Sequence, residues 1–294
     1  MPLVRVLNLY WTSLGRGRVL QSVLAPVLLL GSMAVPMAAA AGVAGVAGVA
    51  RPGHGQPVDV LYAGSLTQVM ENKLGPAFDQ ATGYHFVGFT GGSQQLAAEI
   101  KGQLRPADVF VSASPAVDLS LEGRAAGNWL AGYRLLATSP LVIGYDPHSH
   151  FAAALRSCPW YEVVGLPGFR LGRTDPAIDP KGILARRALI EASAQHHEPV
   201  LHRQADDSAL VFPEESLVGR LQAGQVDAGF FFLTEAITAR IPTVRLVGYN
   251  YHATYTVAQV NRAPHPAAAA SFVAYLFSRA GQAILRRAGL STAP

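Results

Sequence analysis

Charge and sulfur are both scarce in this chain. Only 14% of its 294 residues are charged, and Cys158 is its single cysteine. One cysteine excludes an intrachain disulfide scaffold and any Cys-rich zinc or iron–sulfur site, and the default for such a residue is a buried or unreactive thiol. The 23 Lys and Arg and 19 Asp and Glu leave a net charge of +4 that is spread along the chain, which is no electrostatic footprint for nucleic acid. There is no G-x-x-x-x-G-K-[ST], no G-x-S-x-G and no H-E-x-x-H. No Ser–His–Asp triad is suggested by any spacing, so no catalytic residue is proposed. After residue 51 no apolar run is long enough to span a bilayer. What the chain does have is apolar content. Half of it is hydrophobic and its mean hydropathy is +0.24, which rules out disorder throughout and suits two domain-sized cores or one large one.

The apolar excess sits at the N-terminus. Met1 to Arg18 carries Arg5, Arg16 and Arg18 and no acid, and Val19 to Ala50 carries no charge at all. A basic segment, an apolar run and then small residues match a secretory signal peptide, with Ala38-Ala39-Ala40 as a cleavage site. Residues 1–50 are therefore read as signal peptide and Ala/Gly-rich segment, and 51–56 as linker. The alternative is a retained leader that tethers the protein to the membrane, which Pro26 and Pro36 disfavour as an unbroken spanning helix. No cysteine follows the apolar run, which excludes lipid attachment at a processed N-terminal Cys.

From Pro57 onward, short β-rich runs alternate with helical patterns. VDVLYAG (58–64), YHFVGFT (84–90), ADVFVSA (107–113), LVIGYD (141–146), DAGFFFL (227–233) and YTVAQV (255–260) read as strands. Helical spacing appears over 66–81, 94–102, 183–194 and, as one closing helix, 266–288. The class is α/β, a parallel or mixed sheet flanked by helices.

The polar chemistry lies in the turns. Ala63-Gly64-Ser65 and Gly91-Gly92-Ser93 each put a serine and free backbone N–H groups at a helix start. Ordinary N-capping explains either alone. Two of them on successive strands would open at one sheet edge, where an anion can be held. Gly172 to Gly182 contains two Asp-Pro steps, and Asp179-Pro180 reads as N-cap plus N1 proline. Pro213-Glu214-Glu215 opens another helix, and acids in a first turn are favoured by the dipole alone.

Taken in order, these pieces resemble the periplasmic substrate-binding proteins of molybdate and tungstate ABC transporters, from residue 58 to the end. The pieces are Ala63-Gly64-Ser65-Leu66, Gly92-Ser93, Pro106-Ala107-Asp108-Val109-Phe110, Asp175 to Gly182, Glu214-x-x-Leu217, Gly224 to Phe230 and Gly281 to Leu285. The branch most similar is the archaeal type, in which two carboxylates bind the metal centre and make it six-coordinate.

The resemblance implies a two-lobed periplasmic-binding-protein-like fold (type II), with mixed sheets flanked by helices and a hinge between lobes. Lobe one would be 57–137 and 262–294, and lobe two 138–261. It implies Ser65 and Ser93 as oxyanion donors, with Asp179 and Glu214 as further ligands that bond the Mo or W centre. Asp175 and Glu215 are the less favoured neighbours. It also implies a transported molybdate or tungstate and no cofactor, a small oxyanion and a membrane ABC permease as partners, a periplasmic location, and action as a monomer. Sulfate, phosphonate or an organic acid on the same fold is the rival reading, and an enzyme or sensor a third. One position departs from the pattern. Phe232 stands where relatives commonly carry a tyrosine, which Tyr249, Tyr251 or Tyr255 could replace. Lys181 is a nearby cation that either attracts the anion or is simply solvated.

Overall fold

A computed structural model describes residues 55–292. The expected leader, 1–50, and most of the linker lie outside the described residues. Among the described residues no helix is long and apolar enough to cross a membrane.

Among the described residues, nine strands form the sheet: β1 Pro57–Ala63, β2 His85–Gly91, β3 Val109–Ser112, β4 Arg134–Tyr145, β5 Leu171–Gly172, β6 Ala228–Phe232, β7 Thr243–Arg245, β8 His252–Gln259 and β9 Ser291–Thr292. The order is β2-β1-β3-β8-β4-β6-β5, with β7 and β9 also on β4. β1 pairs in parallel with β2 and β3, whereas β8 is antiparallel to both β3 and β4. The sheet is therefore mixed and helix-flanked, the α/β class the sequence implies.

β4 is the long element, and its partner changes along its length. Arg134–Pro140 faces β8, and Leu141–Tyr145 faces β6. The change falls at Pro140, a residue with no N–H to give to a ladder, so a proline is tolerated inside this strand. Only the second half of β4 stands out in the sequence as an apolar run. The first half, RLLATSP, carries a charge and polar residues and is not legible as a strand.

The strands alternate between two packed faces. Val58, Val60 and Tyr62 of β1 enter the largest apolar cluster while Leu61 enters a second, and Phe110 of β3 joins Leu61 there. In β6, Phe230 and Phe232 face the large cluster and Phe231 a third, under Leu217 and Leu221. Covering both faces explains why β6 reads as an unbroken apolar run. Burying each of these phenylalanines contributes about 1.5–3 kcal/mol.

Two expectations are corrected. The closing helix is two helices, Pro266–Leu276 and Arg279–Arg287, because Ser278 Oγ caps the second by accepting from Gly281 N at 3.1 Å. Cys158 is exposed rather than buried.

Candidate functional site

The first turn, after β1, is a short 3₁₀ segment, Gly64–Leu66, with Ser65 buried. The second, after β2, leads into the helix Ser93–Gly102, with Gly92 as N-cap and Ser93 fully buried. Neither serine caps its own helix. Ser65 Oγ accepts from Tyr255 Oη at 2.8 Å, and Ser93 Oγ accepts from Ala113 N at 3.1 Å. Each hydroxyl thus has one acceptor role filled and keeps a proton it can donate.

Facing these turns are the starts of two helices. Asp179 caps Pro180–His196: its Oδ1 accepts from Lys181 N at 3.0 Å. Glu214 opens the helix Glu214–Gln222, and its Oε2 accepts from Gly64 N at 3.2 Å. The two turns and the two acids come together tightly. Ile178 O accepts from Gln94 N (3.2 Å) and Gln95 N (3.3 Å), the first amides of the helix after Gly92. A cleft of about 300 Å³ lies here, lined in part by Gly92, Gln95, Asp179, Phe212 and Glu214. A smaller pocket of about 50 Å³ adjoins Gly64, Ser65, Glu214 and Glu235. Asp175, half-buried, and Glu215, exposed, line the same cleft.

One cation sits among three acids. Lys181 is completely buried, so it is not the solvated residue that was one of the two expectations for it. Its Nζ donates to Glu235 Oε1 at 2.7 Å and lies 3.4 Å from Glu214 Oε1, without the alignment of a hydrogen bond. Glu235 is anchored in turn, its Oε2 accepting from Phe232 N at 2.8 Å. Burial pushes Asp179, Glu214 and Glu235 above the usual carboxylate range; for Glu214 the Asp179 charge pushes further the same way, and Lys181 pulls all three back. Burial works against charge on Lys181, but Glu235, Glu214 and Asp179 outweigh it and hold its pKa above that of a free lysine. Two buried carboxylate oxygens of this cleft, Asp179 Oδ2 and Glu214 Oε1, have no hydrogen-bond partner among the described residues. In a protein interior such atoms are costly unless something binds them.

A family model described as bacterial extracellular solute-binding protein matches residues 58–291.

The chain belongs to that family.

A putative ABC transporter molybdenum-binding protein of Haloferax volcanii is 28% identical over 190 residues, which cover 64% of this chain and 59% of that protein. An uncharacterized solute-binding protein of Halobacterium salinarum is 27% identical over 215 residues, 72% of this chain and 67% of the other. The match thus spans less than two thirds of the first relative's length. Among solved structures, the Azotobacter vinelandii periplasmic molybdate-binding protein superposes with a TM-score of 0.65 at 22% identity, covering 81% of this chain and 100% of that one. The sulfate-binding protein of Mycobacterium tuberculosis H37Rv superposes at 0.64 with 14% identity, covering 80% and 86%. At these identities the likeness concerns the fold, which is that of periplasmic binding proteins. Family and fold are those of transport solute-binding proteins.

In this solute-binding protein the three tyrosines stand in different surroundings. Tyr249 and Tyr251 bond Gln195 and Glu191, on the helix Pro180–His196 and its end. Tyr255 is the one at the serine turn, fully buried, with the Phe232 ring edge-on to it at 6.2 Å. Burial, with Glu235, Glu214 and Asp179 nearby, keeps its pKa well above that of a free tyrosine, so it stays a neutral hydroxyl. Glu235 was not singled out by the sequence reading. The only local signal for it was an acid two residues after the apolar run that ends at Leu233.

Proposed function

We propose that this protein is the ligand-capturing component of an ABC transporter, exported to the periplasm, and that it takes molybdate or tungstate into the cleft beside Asp179 and Glu214. In this reading Ser65, Ser93 and the amides of their turns donate to oxo groups, and Asp179 and Glu214 bond the metal centre. The observation that carries it is the pair of buried carboxylate oxygens without hydrogen-bond partners among the described residues, Asp179 Oδ2 and Glu214 Oε1. A carboxylate repels an oxyanion unless it can bond to a positive atom within it. Molybdenum(VI) and tungsten(VI) are large, hard centres that accept further oxygen ligands, by extension from the usual preference of hard cations for oxygen. Sulfur in sulfate cannot expand its coordination in this way, so the same acids attract one anion and repel the other. A sulfate, phosphonate or organic acid ligand would leave both acids facing the anion with no bond to its central atom. The putative molybdenum-binding relative of Haloferax volcanii supports the first choice.

We draw lobe one as 57–140 with 252–292 and lobe two as 141–251. The partner change at Pro140 and the pairing of β8 with β3 support this over boundaries at 137 and 261. Closure of these lobes would bring Glu214 onto Gly64 and Ile178 onto the helix after Gly92. The closed form would then dock on the permease, and the protein would catalyse nothing. Metal analysis of protein purified from medium containing both oxyanions tests the reading: stoichiometric molybdenum or tungsten is expected, and protein carrying neither counts against it.

A further inference from the structure

The buried Lys181–Glu235 pair is not accounted for by two metal-bonding acids and two serine donors. A lysine taken wholly out of water is unfavourable unless a carboxylate balances it. Glu235 does so at 2.7 Å and is itself held by Phe232 N, so both of its oxygens are used. One acid would suffice for one ammonium. Yet Nζ also stands 3.4 Å from Glu214 Oε1, and the backbone N of the same residue holds Asp179 Oδ1. Lys181 therefore touches both proposed metal-bonding acids, one through its main chain and one through its side chain. In each acid one oxygen is tethered and the other has no hydrogen-bond partner: Asp179 by Lys181 N and Glu214 by Gly64 N.

We infer that Lys181, anchored by Glu235, is a positioning residue for the proposed ligand: its ammonium aims the Glu214 carboxylate at the cleft without consuming it. This rests on the reading of the site given above. Glu235 is what keeps the ammonium from closing on Glu214. With Glu235 taking the short hydrogen bond, Glu214 is oriented by charge at a longer range and its Oε1 stays available to a metal centre. The positive charge also offsets part of the negative charge that a dianion meets on entering.

Calorimetric titration of the full chain with tungstate, in wild type and two variants, tests this. The double variant Lys181→Met with Glu235→Gln removes both charges of the pair at similar volume, and the introduced side-chain amide oxygen still accepts from Phe232 N. Tungstate affinity is expected to fall by about 10–100-fold, as for other outer partners of metal ligands, with a near-native thermal midpoint. X-ray absorption of the loaded variant should then record fewer oxygen neighbours around tungsten than in wild type. Wild-type affinity in the double variant would overturn the inference and leave the pair a purely structural one. Should the double variant not fold, Glu235→Gln alone decides. Lys181 then has only Glu214 and Asp179 to balance it and draws Glu214 inward, so affinity should fall by about tenfold or more. Unchanged affinity there would also overturn it. A wild-type protein that binds neither tungstate nor molybdate would overturn the underlying reading and this inference with it; a wild type that binds beside unaffected variants would overturn the inference alone.

Discussion

Gly92→Ala is the perturbation that separates a closing surface from ordinary packing. A Cβ on Gly92 would lie 2.3 Å from the Ile178 carbonyl oxygen and 3.3 Å from Asp179 Cβ. Neighbouring atoms essentially never approach a Cβ closer than 3.0 Å, so the Ile178 carbonyl would have to retreat by at least about 0.7 Å. The backbone at Gly92, φ −63° and ψ 136°, suits alanine without strain, so the whole effect comes from that contact. The same carbonyl accepts from Gln94 N and Gln95 N, at distances of 3.2 and 3.3 Å that a shift of that size would break. Two hydrogen bonds at a net 0.5–1.5 kcal/mol each amount to about 1–3 kcal/mol, or roughly 5- to 150-fold in affinity if they form only on closure. Alanine also restricts the unfolded chain, which favours folding by about 0.4–1 kcal/mol. Calorimetry with tungstate should therefore record weaker binding, and scanning fluorimetry of the ligand-free protein an unchanged or slightly raised midpoint. Unchanged affinity would mean that the Gly92–Ile178 contact plays no part in binding. A ligand-free protein destabilised as much as binding is weakened would mean that the contact belongs to the resting fold and not to closure.

The acids give two further predictions. Glu214→Gln and Asp179→Asn keep shape and remove one anionic ligand each, so each should weaken tungstate binding by about 30-fold or more, roughly 2 kcal/mol, in the same titration. Glu214 lies above its ordinary range because of burial and Asp179, so its ionisation opposes folding, and Glu214→Gln should raise ligand-free stability at neutral and alkaline pH in thermal melts. Away from the cleft, burial raises Asp118 to about 7 despite the hydroxyl of Thr256 that donates to it at 2.6 Å. The folded protein holds that proton more tightly than the unfolded chain. The stabilisation is full below the unfolded value of 3.8 and is lost as pH rises through about 7, with an upper bound of about 4 kcal/mol. Asp118→Asn should flatten the melting temperature between about pH 4 and about pH 7, and an unaltered pH profile would remove Asp118 as its source.

Strand positions were readable wherever both faces of a strand are covered, because the sequence then shows an apolar run, as in DAGFFFL and the second half of β4. The polar first half of β4 gave no such signal, and it is the segment that carries the chain from one set of partners to the other. Asp179 was readable as a helix cap, and it does cap its helix. Its second oxygen, without a partner, could not be inferred from a local motif. Lys181 shows the limit most clearly. A lysine after Asp-Pro is usually solvated, and its burial depends on Glu235, 54 residues away on the helix after β6. Pairing at that separation is a property of the folded sheet and leaves no spacing to read. Which of Tyr249, Tyr251 and Tyr255 meets the serine turn was likewise open, since all three lie within seven residues and only Tyr255, on β8, bonds Ser65.

In the proposed site two buried carboxylates select an oxyanion whose central atom can accept them. Calorimetric titration of the purified protein with tungstate, molybdate and sulfate side by side tests it most directly. Stoichiometric binding of tungstate or molybdate is expected, with no measurable heat from sulfate. Sulfate binding as tight as that of either metal oxyanion, or no heat from any of the three, would contradict it.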